Sequence, residues 1–88
     1  MKLKYNFVTN EVADKIVAVA VGDDMTAFNG FIKMNETGAF IFNMLKDEVT
    51  EEEIVTAMIK EYPDATEEEI RSTVKDFVAE LIKAEVAQ

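Results

Sequence analysis

The stretch FNGFIKMNETGAFIF, residues 28–42, contains the point at which the hydrophobic period of the chain changes. Up to Met34 the period is about two, which is typical of β-strands, and from Asn35 it is about 3.6, which is typical of an amphipathic helix. Asn35 is also a residue type that caps helices well. The stretch therefore predicts a strand that leads directly into a helix, as in a fold of class α+β.

The residues before this stretch predict a small antiparallel sheet. Residues 7–12 and 15–21 are rich in Val, Ile, Phe and Thr, and Ala13-Asp14 between them predicts a tight hairpin. The second of these strands has Val on one face and the small Ala18 and Ala20 on the other. Because small side chains let another element approach closely, this pattern predicts a central strand.

A second hairpin is predicted immediately before the first helix. It is centred on Asn29-Gly30, a dipeptide that readily supplies the positive φ values of a type I′ turn. Short apolar segments flank this dipeptide on both sides. The predicted sheet therefore has three to four strands, at about residues 7–12, 15–21, 25–28 and 31–34.

The second half of the chain predicts helices with well-marked starts. Thr50 is followed by Glu53 and Thr66 by Glu69, and each pair has the spacing of a capping box. Acidic residues in the first turns of these helices are favoured by the helix dipole. Pro63 ends the earlier of the two. The predicted helices cover residues 36–47, 51–61 and 67–84.

The apolar residues of these helices recur at helical spacing and predict the core. Each helix has one apolar stripe, as expected for a helix that packs on a sheet or on another helix. The residues predicted to face inward are Thr37, Phe40, Ile41, Met44, Leu45, Val55, Met58, Ile59, Tyr62, Ile70, Val74, Phe77, Val78, Leu81 and Ile82.

The net charge of −9 belongs to the second half of the chain. Residues 1–46 contain five basic and five acidic side chains, whereas residues 47–88 contain four and thirteen. A small sheet followed by three helices is compatible with a winged-helix arrangement, and a winged-helix DNA-binding protein is therefore one alternative. However, the candidate recognition helix, residues 67–84, is acidic and would repel a phosphate backbone. We therefore expect neither nucleic acid nor a membrane as a partner.

The residue types of the chain exclude most catalytic and metal-binding sites. Cys and His are absent, which excludes a thiol nucleophile, an imidazole base and the usual zinc ligands. Residues 25–36 resemble a calcium loop in part, but Met25 and Ala27 stand at its first and third positions, where side-chain oxygens are needed. Ser72 lies inside a predicted helix, not at a helix start where a carrier domain would hold its prosthetic arm. We expect no enzymatic activity, no metal and no cofactor.

The length of 88 residues predicts one domain, covering residues 1–88. The longest stretch without a charged residue, Thr37–Leu45, is far shorter than the roughly 20 residues that span a bilayer. No signal-peptide pattern opens the chain, so the expected location is cytoplasmic.

Four segments carry a family resemblance: FNGFIKMNETGAFIF at 28–42, TEEEI at 50–54, EY at 61–62 and VKDFVAEL at 74–81. Together they resemble the PqqD family, whose namesake is the small accessory protein of pyrroloquinoline quinone (PQQ) biosynthesis. The resemblance extends from residue 7 to residue 87, and the Asn-Glu-Thr-Gly-Ala segment is its most specific part. The chain departs from the family where Trp or Gly is common, and these positions are occupied by Phe42 and Glu85.

The resemblance implies a winged-helix-like, non-catalytic module, a peptide chaperone that recognises ribosomally synthesised precursor peptides. Such a module holds the leader part of the precursor as an added strand, beside the third helix, and presents it to a modifying enzyme, often a radical S-adenosylmethionine (SAM) enzyme. An exposed sheet edge beside an apolar groove suits this mode of binding. The peptide-binding residues implied are Phe31, Ile32, Lys33, Met34, Val74, Asp76, Phe77, Val78, Glu80 and Leu81.

A second alternative is an interaction module unrelated to peptide modification. In that case the acidic half of the chain, residues 47–88, would bind a basic protein surface. A precursor peptide and a radical enzyme encoded beside this chain would favour the recognition module.

Overall fold

The computed structural model describes residues 1–28 and 30–88. An antiparallel sheet near the N-terminus is followed by helices, which confirms the predicted α+β class. Along the described residues the elements are β1 (Phe7–Val12), β2 (Lys15–Ala20), α1 (Asp24–Ala27), β3 (Phe31–Met34), α2 (Glu36–Met44), α3 (Glu51–Glu61) and α4 (Glu67–Lys83).

Strand β2 lies at the centre of the sheet. The strand order among the described residues is β1-β2-β3, and β1 and β3 both pair with β2 in the antiparallel direction. Ala18 and Ala20 are buried in the core, whereas Val17 and Val19 are half-buried on the opposite face. The prediction of a central strand with small side chains on its packed face is therefore confirmed.

The predicted second hairpin is wrong. Residues Asp24–Ala27 form the short helix α1, where a strand at 25–28 was expected. Strand β3 pairs with β2 itself, over the register from Ile16↔Met34 to Val19↔Phe31. Asn29, in the predicted turn, lies outside the described residues.

Local hydrogen bonds explain why this segment is helical. The carboxylate of Asp24 accepts the backbone N–H of Asn6 at 2.7 Å, and the Asp24 carbonyl accepts the N–H of Phe28 at 2.9 Å. The aromatic ring of Phe28 then packs against Phe7, with 5.5 Å between ring centroids. The hydrogen bonds of this segment are therefore made within the turn and with Asn6, the residue before β1, and not in a β-ladder.

The predicted helix starts are confirmed. Asn35 Oδ1 accepts the N–H of Gly38 at 2.8 Å, and the capping boxes that open α3 and α4 both have their two reciprocal hydrogen bonds. Helix α2 ends at Met44, earlier than expected, because Lys46 and Asp47 donate to carbonyls three residues before them and tighten the chain into turns. Within residues 1–28 and 30–88, none of the helices is long and apolar enough to span a membrane.

Helix α2 is packed on two sides. The ring of Phe42 lies 5.2 Å from that of Phe7 on the sheet, and the ring of Phe40 lies 5.9 Å from that of Tyr62 at the end of α3. Phe42 is fully buried although its position was not predicted to face inward. One apolar stripe is enough for a helix with one neighbouring layer, but α2 lies between two.

Two residues predicted to face inward are exposed. Ile59 is 39% exposed and Ile82 is 47% exposed, whereas Ile54, which was not predicted, is fully buried. Successive residues of a helix are rotated by about 100° around its axis. Ile59 and Ile82 therefore lie at the margin of the apolar stripes, next to the buried Met58 and Leu81.

The two ends of the described chain pair with each other. Leu3 forms an antiparallel bridge with Ala87, and Lys2 and Gln88 exchange two backbone hydrogen bonds of 2.8 and 2.9 Å. Leu3 and Val86 are buried by this pairing. The pairing holds the N-terminal residues against the segment that follows α4.

Candidate functional site

The direction of the backbone hydrogen bonds in β2 determines which groups of β3 are free. Val21 donates its N–H to the carbonyl of Asn6 at 3.0 Å, on the β1 side of the sheet. Backbone groups alternate in direction along a strand, so the odd-numbered residues of β2 point towards β1 and the even-numbered residues towards β3. Ala18 therefore exchanges hydrogen bonds with Ile32, its partner in the register.

It follows that Phe31 and Lys33 direct their N–H and C=O groups away from β2. No strand pairs with this outer edge of β3 in the parts of the chain that the structure describes. Such an edge is a template for an additional strand. The expectation that residues 31–34 form an edge strand is therefore met.

The side chains of β3 divide between the two faces of the sheet. Met34 is buried and Ile32 half-buried on the face that packs on the helices. Phe31 is 59% exposed on the outer face, where Lys33 Nζ lies 6.0 Å from the centroid of its ring. An added strand would therefore meet different side chains on its two faces.

A cleft of about 300 Å³ lies where β3 ends, between the start of α2 and helix α4. Gly38 of α2 explains how α4 comes so close to β3. A Cβ at this position would lie 3.0 Å from Cε1 of Phe77 and 3.3 Å from Cβ of Met34. The absence of that Cβ lets the half-buried Phe77 ring pack beside the last residue of the strand.

Polar groups surround Phe77 at the mouth of this cleft. Asp76 and Glu80 of α4 are exposed and lie four residues apart, so they share one side of the helix. Thr73 lies one turn before them, and Asn35 closes the end of the cleft next to β3. The cleft thus has an aromatic floor and an acidic wall.

The ten predicted site residues fall into two groups. Phe31, Ile32, Lys33, Asp76, Phe77 and Glu80 are exposed or half-buried at the β3 edge or in the cleft. The other four are in the core and do not line an open groove, so they support the site from beneath. They are Met34, Val74, Val78 and Leu81, with exposed fractions of 5%, 0%, 5% and 4%.

Sequence reasoning missed four residues that line the cleft. They are Asn35, Thr37, Gly38 and Thr73. The signal that was available is the glycine itself, because Gly inside a helix lowers its stability by about 1 kcal/mol unless close packing requires it.

A second recess, of about 410 Å³, lies at the other side of Asn35. It is lined by the carboxylates of Glu11, Asp14 and Glu36, together with Ile16. No group of three or more side chains within residues 1–28 and 30–88 has an arrangement that could hold a metal ion. This recess therefore adds negative charge to the surroundings of the cleft.

The ion pairs of Arg71 lie outside the cleft and join the helices. Its guanidinium donates to Glu52 of α3 at 2.5 and 2.9 Å and to Glu67 of α4 at 2.8 Å. The hydrogen bond from Arg71 holds the pKa of the Glu52 carboxyl below its usual value, and the pairing with both carboxylates raises the pKa of the guanidinium. All three side chains are exposed, so their role is to join α3 to α4 at the surface.

The family model described as "Coenzyme PQQ synthesis protein D (PqqD)" matches residues 15–87. The chain belongs to the PqqD family. The PqqD match includes β2, β3 and all residues of the cleft, whereas β1 precedes it. The resemblance seen in the sequence is therefore confirmed.

A solved structure shows that the PqqD-family chain shares its fold with another protein. That protein is TbiB1, determined in complex with the TbiA(beta) leader peptide. The TM-score is 0.71 at 22% sequence identity, and the similarity covers 98% of this chain and 93% of TbiB1. No curated protein matches the chain.

Proposed function

We propose that this PqqD-family chain is a non-catalytic accessory protein that binds the leader of a ribosomally synthesised precursor peptide. The observation that carries the proposal is the free edge of β3, where Phe31 and Lys33 direct their backbone groups outward beside the cleft of α4. The leader adds to this edge as a strand, held mainly by main-chain hydrogen bonds. Its alternate side chains enter the cleft next to Phe77.

Two comparisons support a peptide ligand. The chain is a member of the PqqD family, and TbiB1, which has the same fold, was determined with a leader peptide. The proposed contacts are those of Phe31, Ile32, Lys33, Asp76, Phe77 and Glu80. Met34, Val74, Val78 and Leu81 shape the site from the core.

The bound leader is presented to a peptide-modifying enzyme, a radical SAM enzyme in the proposed pathway. The chain acts in the cytoplasm as one recognition domain over residues 1–88, without a cofactor of its own. Neither DNA nor a membrane is a partner in this proposal, because Asp76 and Glu80 and the acidic first turn of α4 would repel phosphate groups.

A chemical-shift titration tests the proposal directly. The protein is labelled with ¹⁵N and titrated with the leader of the precursor peptide encoded beside it, and a scrambled peptide of the same composition is the control. We expect the largest shifts at residues 31–35 and 73–80, with small shifts in α3. Shifts confined to α3, or equal shifts with the scrambled peptide, would exclude the β3 edge as the binding site.

A second measurement tests the link to the enzyme. The rate at which the enzyme encoded at the same locus modifies the precursor should rise when this chain is added, and it should not rise when the leader is removed from the precursor. The chain alone should leave the precursor unmodified. A rate that is independent of the chain would contradict the accessory role.

A further inference from the structure

The outer face of the sheet is apolar and basic. Residues paired directly across antiparallel strands share a face, so Val8 and Phe31, which both pair with Val19, lie on the same side as Lys33 and Lys15. Val8 is 44% exposed and Phe31 59% exposed. The chain has 18 acidic residues, but none of them lies on this face of β1, β2 or β3.

The cleft on the other side of the β3 edge has the opposite charge. Asp76 and Glu80 line it, and the residues described around it include no basic side chain. The neighbouring recess adds the carboxylates of Glu11, Asp14 and Glu36. The edge of β3 therefore separates a basic outer surface from an acidic inner one.

The side chains of a strand added to this edge contact the two surfaces alternately. Its residues that pair with Phe31 and Lys33 place their side chains on the outer face, and the residues between them point towards the cleft. A slip of one residue moves every side chain to the other face. The electrostatic energy of each charged peptide side chain therefore depends on the register.

We propose that the two surfaces select opposite charges and so set the register of the bound peptide. A carboxylate of the peptide lies opposite Lys33 on the outer face, and a neighbouring basic side chain enters the cleft beside Asp76 and Glu80. This inference rests on the proposed function and extends it to the class of peptide, one whose binding segment alternates acidic and basic residues. Lys33 suits this role because it has no ion-pair partner in the described structure.

Paramagnetic labels measure which side chains face outward. The chain has no Cys, so a single Cys in the peptide carries the only label. Labels are placed at successive positions of the leader segment that binds the β3 edge. We expect labels two positions away from its acidic residues, which share their face, to broaden the amide signals of Val17 and Val19. Labels at the positions between them should broaden the signals of Asp76 and Phe77.

Charge reversal then tests whether the surfaces cause this arrangement. Lys33→Glu should weaken peptide binding about two- to fivefold at low ionic strength and less at high ionic strength. Lys60→Glu is the matched control, because it makes the same charge change on α3, away from both surfaces. Replacing the peptide carboxylate opposite position 33 with Lys should restore the affinity for Lys33→Glu.

The outcomes separate this inference from the proposed function. If the labelled wild-type complex shows no broadening along β3, strand addition itself is wrong. If the peptide binds along β3 but has no carboxylates, or if its carboxylates point into the cleft, the proposed function stands and charge selection is overturned. The same holds if Lys33→Glu and Lys60→Glu weaken binding equally.

Discussion

The N–H of Val86 donates to the carbonyl of Leu81 at 2.8 Å, and Glu85, which directly precedes Val86, has a φ of +62°. Glu85 also donates to the carbonyl of Ile82 at 3.0 Å. These two bonds form the Schellman motif that ends α4, with buried Leu81 and Val86 as its apolar pair. Glu85 thus occupies the left-handed position at which Gly is the usual residue of this motif.

Glu85→Gly should therefore stabilise the protein, by about 0.5 to 1 kcal/mol, since Gly adopts positive φ without strain. Urea unfolding followed by circular dichroism measures the change. Ala84→Gly is the matched control, because Ala84 has a φ of −80° and its replacement should lower the stability. A loss of stability with Glu85→Gly would contradict the assigned motif.

Gly38→Ala should destabilise the protein by about 1 kcal/mol. The gain in helix propensity is outweighed because the new Cβ would crowd Phe77 and Met34. In a Phe77→Ala background the loss should largely disappear, since the closest atom, Phe77 Cε1 at 3.0 Å, is then absent. Denaturant midpoints of the four proteins in this double-mutant cycle give the coupling, and a coupling of zero would mean that the two residues do not meet.

Lys33→Pro should leave the fold intact and abolish most of the leader binding. The Lys33 N–H points away from β2, so its loss removes a donor that only an added strand uses. Ile32→Pro is the structural control, because its N–H belongs to the ladder with Ala18 and its loss should reduce stability by about 1 to 3 kcal/mol. Calorimetry and thermal unfolding separate the two effects. Unchanged leader affinity in folded Lys33→Pro would place the peptide elsewhere.

Reversal of both Asp76 and Glu80 to Lys should weaken a leader with basic residues at the facing positions by several-fold. Exposed charge pairs contribute about 0.2 to 1 kcal/mol each, so binding should be reduced but not lost, and the effect should shrink with added salt. Reversal of Glu61 and Asp64 changes the net charge equally outside the cleft and is the control. Equal losses in the two double variants would indicate a general charge effect.

The carboxyl of Glu52 should titrate below its ordinary pKa of 4.5 because Arg71 donates to it. A carboxyl with a lowered folded pKa contributes stability at pH values above its unfolded pKa, and this contribution is lost as the pH falls through the folded value. In Arg71→Gln the pKa of Glu52 should return towards 4.5, whereas Lys75→Gln should leave it unchanged. Carbon-detected NMR of the side-chain carboxyl follows the titration, and identical curves for wild type and Arg71→Gln would refute the pairing.

Local sequence signals were sufficient wherever a segment is stabilised by contacts between residues close in sequence. The strand that ends at Met34, the cap at Asn35 and the capping boxes at Thr50 and Thr66 were all predicted, because their hydrogen bonds join residues only a few positions apart. The same holds for the central position of β2, since its small residues on one face require a packed neighbour. The family resemblance likewise depended on contiguous segments.

The predictions that were wrong depended on neighbours distant in the chain. Residues 25–28 have strand-like composition, but β3 takes the place beside β2 and Asp24 binds Asn6, so residues 25–27 belong to the helix α1. Phe42 is buried because α2 is covered by two layers, which its own periodicity does not reveal.

The candidate site shows the same division between local and long-range information. Alternation along residues 31–34 is a property of any strand, so the sequence indicated which residues share a face. The cleft beside that strand exists because Gly38 admits the ring of Phe77 from a helix some forty positions later in the chain. That contact, and the burial of Val74, Val78 and Leu81 beneath it, follow from how α4 packs on the rest of the chain, because packing joins side chains that no sequence period relates.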